Sequence, residues 1–188
     1  MFLAQYPEVS LDLVAEPAMI DIVSEGFDAG FRLGDAVPRD MVAVRFGEAS
    51  RMRVVASRAY MRDRQVPQSP DDLSQHRCIR SRSPAGRPYK WEFERHGHEL
   101  TVDVPGGLML NRTELMLQAA LQDMGIAFVP ERLARPYLAA GQLVSLLDSW
   151  CPNYPGLYLC YPGHRQVPAA LWAFIDMLKA APEGRTWI

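Results

Sequence analysis

Apolar and polar residues succeed one another in short blocks along this chain, and the period of each block decides the element it predicts. Val9, Leu11 and Leu13 alternate with smaller or polar neighbours, the period-two pattern of a strand. Met19-Ile20-Asp21-Ile22-Val23 reads as helix, with Gly26 as a left-handed stop. Ala29 to Leu33 and Met41 to Phe46 predict two more strands, so a βαβ unit is expected within the first fifty residues. The pattern pauses at Gly47-Glu48-Ala49-Ser50, a candidate hinge, and restarts as a strand over Met52 to Ser57.

Beyond the hinge, Ser69 or Asp71 caps a short helix, and Cys78-Ile79-Arg80 is a short strand running into the loop Ser81 to Gly86. Trp91 to Arg95 and Leu100 to Val104 alternate around the turn His96-Gly97-His98 and predict an antiparallel hairpin. Asn111 with Glu114 has the spacing of a capping box for a helix over Leu115 to Met124, stopped by Gly125. A buried strand over Ile126 to Val129, a helix over Glu131 to Ala140 ended by Gly141, and a strand over Leu143 to Leu147 come next. Leu157 to Tyr161 is the last strand. Pro168 opens a final helix on which Leu171, Phe174, Ile175 and Leu178 share one face.

Alternating strands and helices favour parallel sheets with helical crossovers. The chain leaves its first lobe near residue 47 and returns near residue 150. Two crossings imply a cleft between two α/β lobes, where small ligands usually bind.

Composition narrows the function classes. With 188 residues and a formal net charge of -2, the chain can bury a core and has no global positive field, so nucleic acid is not expected as a direct ligand. No apolar run reaches the roughly 18 residues of a membrane-spanning helix and no secretory leader is visible, which points to the cytoplasm. Cys78, Cys151 and Cys160 are odd in number and widely spaced, the pattern of buried thiols rather than of a disulfide framework or zinc site. His76, His96, His98 and His164 are dispersed and none falls in a catalytic motif, so no enzyme, metal or cofactor is expected. Met109, Met116, Met124 and Met177 read as core filler.

Eight short segments in order carry a resemblance. They are Phe2 through Val9, Glu25-Gly26-Phe27-Asp28 through Gly34, Val55 to Met61, Pro67 through Leu73 with His76 and Cys78, Trp91-Glu92-Phe93, Gly125 through Pro130, Ala140 through Val144, and Leu157 through Pro162. Together they resemble the effector-binding domain of LysR-type transcriptional regulators. The resemblance implies an α/β, two-lobed, periplasmic-binding-protein-like (type 2) fold, with lobe one at residues 1–47 plus 150–188 and lobe two at 48–149. It implies a small-molecule effector, regulation of transcription through an attached or partner DNA-binding unit, and a homodimer or a homologous regulator as partner. A stand-alone solute-binding module, or a dimerisation partner of an intact homologue, is the alternative.

The pocket positions implied by the resemblance are Glu16, Pro17, Arg32, Arg80, Ser81, Arg82, Ser83, Asn111, Arg112, Thr113, Phe128 and Val129, with the last two as apolar wall. Physics favours a carboxylate there, since a helix opening after Asn111 offers free N–H groups and Arg80 or Arg82 a bidentate clamp. Against this stands the reading in which Asn111 and Thr113 only cap their helix and the arginines are solvated. Arg32 alternates with Phe31 and Leu33 and either faces the cleft or pairs with a surface carboxylate.

Two departures from the family pattern matter. The family's helix-turn-helix has no counterpart among these 188 residues, so DNA is expected to be reached only through a partner or an attached unit. Phe2 to Tyr6 matches a helix that normally follows a first strand, so lobe one is expected to be incomplete, lacking that strand and the pocket loop after it.

Overall fold

The computed structural model describes residues 2–15, 21–33, 37–38, 40–46, 49–82, 86–154, 156–163 and 166–180. The chain divides into two compact units, one formed by residues 1–49 and 154–188 and the other by Ser50–Asn153.

In unit 1 the strands β1 (Gly30–Leu33) and β2 (Met41–Phe46) both run antiparallel to β11 (Leu157–Pro162), in the order β1-β11-β2. The βαβ unit expected from strands over residues 9–13 and 29–33 is not formed, because residues 9–13 join no sheet. The strand from the far end of the chain inserts between β1 and β2, and among the described residues no helix connects them. Helix α5 (Ala169–Ala180) lays Ile175 and Leu178 on one face of this sheet against Leu159 and Tyr161. Phe174 also receives Phe2 of the four-residue helix α1 (Phe2–Gln5), edge to face at 5.2 Å.

The strand expected over Val9 to Leu13 is absent. Leu11 and Leu13 are exposed there, because alternation makes a strand only where a sheet edge offers partners for its backbone groups. Of the helix expected over residues 19–23, Met19 and Ile20 lie outside the described residues. Asp21 to Gly26 is a single turn, started by the Asp21 carboxylate accepting from Val23 N (3.0 Å) and closed by Gly26 at φ +80°.

Unit 2 is built on β3 (Ser50–Ser57), which pairs antiparallel on one side with β9 (Leu143–Leu146) and on the other with β8 (Ile126–Pro130). β8 and β7 (Leu108–Leu110) flank β4 (Cys78–Ser81), and these three strands are parallel. The sheet is mixed rather than all parallel, since the strand by which the chain enters the unit opposes both of its neighbours. Two crossovers of βαβ type follow one another here: β7, α3 (Thr113–Leu121) and β8, which passes over β4, and β8, the helix Glu131–Ala139 and β9, which passes over β3.

Alternate residues of the strands feed two cores. On one face Val55, Ile79, Ala127 and Val129 pack under α3 and α4 (Glu131–Ala139). On the other Val54, Cys78, Ile126 and Phe128 pack under Tyr60 and Met61 of α2 (Arg58–Met61) and the hairpin of β5 (Trp91–Arg95) with β6 (His98–Val102). That hairpin turns through His96 and Gly97, both at positive φ (54° and 80°), which matches the right-handed strand twist. The exit from the unit is a two-residue strand, β10 (Asn153–Tyr154).

The capping box expected from Asn111 and Glu114 does not form. The helix starts at Thr113 with Arg112 as its cap residue, so Glu114 stands one position too early to reach back, and it pairs with Arg112 at 3.6 Å instead. Its end is set by Asp123 at φ +60°, ahead of Gly125 at φ +156°, where a side chain would stand 2.4 Å from the Arg77 carbonyl oxygen. Met124 follows the stop and is exposed rather than core.

Candidate functional site

Because β8, β4 and β7 are parallel, their carboxyl ends lie along one edge of the unit 2 sheet. Chain connections leave β4 toward β7 on one side and return in β8 on the other, so this edge contains a topological switch point, the usual ligand crevice of an open α/β sheet. The register Ser81↔Leu110 brings Arg80, Ser81 and Arg82 beside Asn111, Arg112 and Thr113. Two stretches about thirty residues apart in sequence thus meet at one place, where the first turn of α3 adds unpaired backbone N–H groups.

Each arginine already has a protein partner. Arg80 Nη2 donates to Asp103 Oδ1 at 2.5 Å, while its buried Nε has no acceptor among the described residues. Arg82 Nη1 donates to the Gly86 carbonyl at 2.9 Å, and its backbone N–H donates to Leu110 O at 2.8 Å. Neither guanidinium is simply solvated, and Arg80 keeps one donor in reserve.

Other expected positions fall elsewhere. Phe128 stacks on Trp91 (ring centroids 5.2 Å, 25° apart) and touches Phe93 at 5.5 Å, inside the hairpin-side core. Val129 points the opposite way, fully buried under α3 and α4, so the two side chains do not line one wall. Arg32 belongs to unit 1, opposite Tyr158 in the register, with Nη1 donating to Phe31 O at 3.4 Å. Glu16, Pro17 and Ser83 lie outside the described residues.

A cluster not expected from the sequence sits on the same edge. β3 opposes β8, so its first residues come to the carboxyl end, with Met52 opposite Pro130. Arg53, 12 % exposed in its side chain, donates to Glu131 Oε1 (2.6 Å) and Asp148 Oδ1 (2.5 Å), and Arg51 Nε reaches Glu131 Oε2 at 3.3 Å. Ser145 Oγ bonds the same Asp148 carboxylate. Burial of Glu131 works to raise its pKa, but hydrogen bonds from Arg53 and Arg51 outweigh it and hold the group below the usual carboxylate range. Burial likewise opposes the charge of Arg53, whose pKa is nonetheless raised by Glu131 and Asp148. The sequence signal was the alternation Arg51-Met52-Arg53, which puts two arginines on one strand face.

Among the described residues no three His, Cys, Asp or Glu side chains gather to hold a metal, and no helix is long and apolar enough to cross a membrane.

A switch-point edge with arginines and a helix start beside it defines a small-molecule-binding α/β domain. The model of the LysR substrate binding domain matches residues 1–183, and the chain belongs to that family. A putative transcriptional regulator of Pseudomonas aeruginosa is 40% identical over 186 residues, 98% of this chain and 61% of the relative. The HTH-type transcriptional regulator PgrR of Escherichia coli is 36% identical over 179 residues, 95% of this chain and 60% of that protein. The chain thus spans about three fifths of the length of these relatives. Among solved structures, the regulatory domain of AphB in Vibrio vulnificus is similar with a TM-score of 0.79 and 26% identity, covering 95% of this chain and 87% of that one. The fold is the two-lobed, periplasmic-binding-protein-like fold of such regulatory domains, and the family is one of transcriptional regulators.

Proposed function

We propose that this chain is the effector-sensing domain of a LysR-type regulator and that its effector is a small carboxylate or related metabolite, engaged in unit 2 by Arg80, Ser81, Arg82, Asn111, Arg112 and Thr113. The observation that carries this reading is the meeting of the two stretches at the carboxyl ends of β4 and β7. Ser81 stands on the α3 face of β4 and Arg80 on the opposite face, so an entering carboxylate at the end of the strand meets the start of α3 with the hydroxyls of Ser81 and Thr113. Arg80 already pairs with a carboxylate, that of Asp103, which supports a guanidinium suited to such a group.

Residues 1–47 with 150–188 are the first lobe of this reading and 48–149 the second. Effector binding shifts the population between two conformations in proportion to its differential affinity for them. The shift is passed to a DNA-binding unit, attached or in a partner, through a dimer in the cytoplasm. No group in the chain is assigned to catalysis, and no cofactor is needed.

The reading is tested by thermal melts of the chain against a panel of small carboxylates and amino acids, with Arg82→Ala and Thr113→Ala alongside. It expects a saturable rise with one class of ligand that both substitutions abolish. A panel that raises nothing, or a rise that both variants keep, refutes it.

A further inference from the structure

The opposite end of the unit 2 sheet carries a second feature that effector sensing at the carboxyl edge does not use. Arg51 and Ser57 stand at the two ends of β3, about 20 Å apart at roughly 3.4 Å per residue. Beside Ser57 lies an open groove of about 540 Å³ between α2, α3 and α4, within the size range of small-molecule sites.

Helical spacing aims polar side chains at this groove from more than one side. Arg58 and Arg62 are four residues apart on α2 and the residue that closes it, and Gln118 and Gln122 are four apart along α3 and its cap. Tyr137, on α4, and Gln142 complete the lining. The floor is fixed. The Ser57 hydroxyl, itself buried, accepts from Tyr60 N at 2.9 Å and donates to Asp123 Oδ1 at 2.5 Å. Asp123 stands at φ +60° as the left-handed residue that ends α3, which sets its carboxylate beside Ser57.

What is fixed and what is left over differ sharply. The one carboxylate of the groove, Asp123, is engaged by Ser57, and Arg58 Nε is engaged by the Gly141 carbonyl at 2.7 Å. The Nη groups of Arg58 and the side chains of Arg62, Gln118, Gln122, Tyr137 and Gln142 have no hydrogen-bond or ion-pair partner among the described residues. The groove therefore offers two guanidinium groups facing amides, with a surplus of donors. Guanidinium forks match the planar or tetrahedral oxygens of carboxylate and phosphate, while amides serve hydroxyls, to which they both donate and accept.

We propose that this groove is a second ligand site, distinct from the effector site, and that it takes a small oxyanion bearing hydroxyl groups, a hydroxycarboxylate or a phosphorylated sugar. Arg58 and Arg62 hold the anionic group, and Gln118, Gln122 and Tyr137 hold the hydroxyls. Helix α3 begins at the effector site and ends at this groove, so one rigid element adjoins both.

The test is an NMR titration of the ¹⁵N-labelled chain with citrate, glucose 6-phosphate and inorganic phosphate, each in turn. The proposal expects saturable shifts confined to residues 57–62, 118–123 and 137–142 with citrate or glucose 6-phosphate, whichever binds identifying the anion, and weaker binding of bare phosphate. Arg62→Ala, which removes an exposed side chain with no structural contact, weakens binding roughly tenfold or more, while Arg82→Ala leaves it unchanged. No saturable shift in these segments with any of the three, or full affinity in Arg62→Ala, overturns the proposal. Loss of binding in Arg82→Ala alone assigns the anion to the effector site, which overturns the second site and leaves the sensing function standing.

Discussion

Replacing Gly106 by alanine will destabilise unit 2 severely, whereas the same change at Gly107 will not. A Cβ on Gly106 would stand 1.8 Å from the carbonyl oxygen of Cys78 and 2.9 Å from its carbonyl carbon, while one on Gly107 would meet nothing within 4 Å. Relief at position 106 requires the chain to move off β4 by about 1.5 Å to restore ordinary contact distance, which breaks the bond from Cys78 N to Pro105 O (2.9 Å). Overpacking of this kind costs about 1–3 kcal/mol, and leaving a buried backbone group unpaired costs about as much again. The sum, roughly 2–6 kcal/mol, is a large fraction of a typical net stability of about 5–15 kcal/mol. In urea, at a slope near 2 kcal/mol/M, the midpoint falls by about 1–3 M, read from the fluorescence of the buried Trp91. Gly107→Ala, exposed and unhindered, leaves the midpoint unchanged or slightly raised. Equal midpoints for the two variants would refute the close approach of residue 106 to β4, and with it the placement of Arg80 to Arg82.

Acid titration separates a half-buried carboxylate from a buried imidazole. Glu131 has a folded pKa below its unfolded value, so its contribution is fully present above about pH 4.5 and is lost as pH falls through the depressed folded value; Glu131→Gln costs about 2 kcal/mol at neutral pH in chemical denaturation and flattens the loss below pH 4.5. His76 is buried beside Tyr60, and desolvation, aided by Arg64 and opposed by a bond to the Gln65 backbone and by Asp72, lowers its pKa. The unfolded chain therefore binds the extra proton first, and stability falls as pH drops below about 6.5, by up to about 1.4 kcal/mol per pH unit, a slope that His76→Gln removes. Burial pushes the Cys78 thiol up to about 12 and Cys151 up to about 11, so iodoacetamide at pH 8 leaves both unmodified in the native chain and labels them in urea, as intact mass shows.

The elements that read clearly from sequence are those whose signal is local. The hairpin around His96-Gly97, the strand Ile126 to Pro130 and the helix stop at Gly141 (φ +68°) each depend on a turn residue or an apolar run within reach. What was not legible depends on partners distant along the chain. Val9 to Leu13 has strand alternation but no sheet edge to join, and β11 separates β1 from β2 although more than a hundred residues lie between them in sequence. The glycine pair 106–107 fits no ligand-binding spacing, and its use shows only once Cys78 is seen against residue 106. At the edge of the sheet, Arg80 and Arg82 were visible as candidates, but Asp103 on Arg80 and the grouping of Arg53 with Glu131 and Asp148 exist only through strand pairing.

The central claim is that the carboxyl edge of β4 and β7 receives a small carboxylate. Its most direct measurement is isothermal titration of the chain with the hydroxyl-free carboxylate that most raises its melting temperature, repeated on Arg82→Ala and on Arg62→Ala. The account predicts one saturable site, weakened roughly tenfold or more by Arg82→Ala and untouched by Arg62→Ala. Binding that survives Arg82→Ala at full affinity would contradict it.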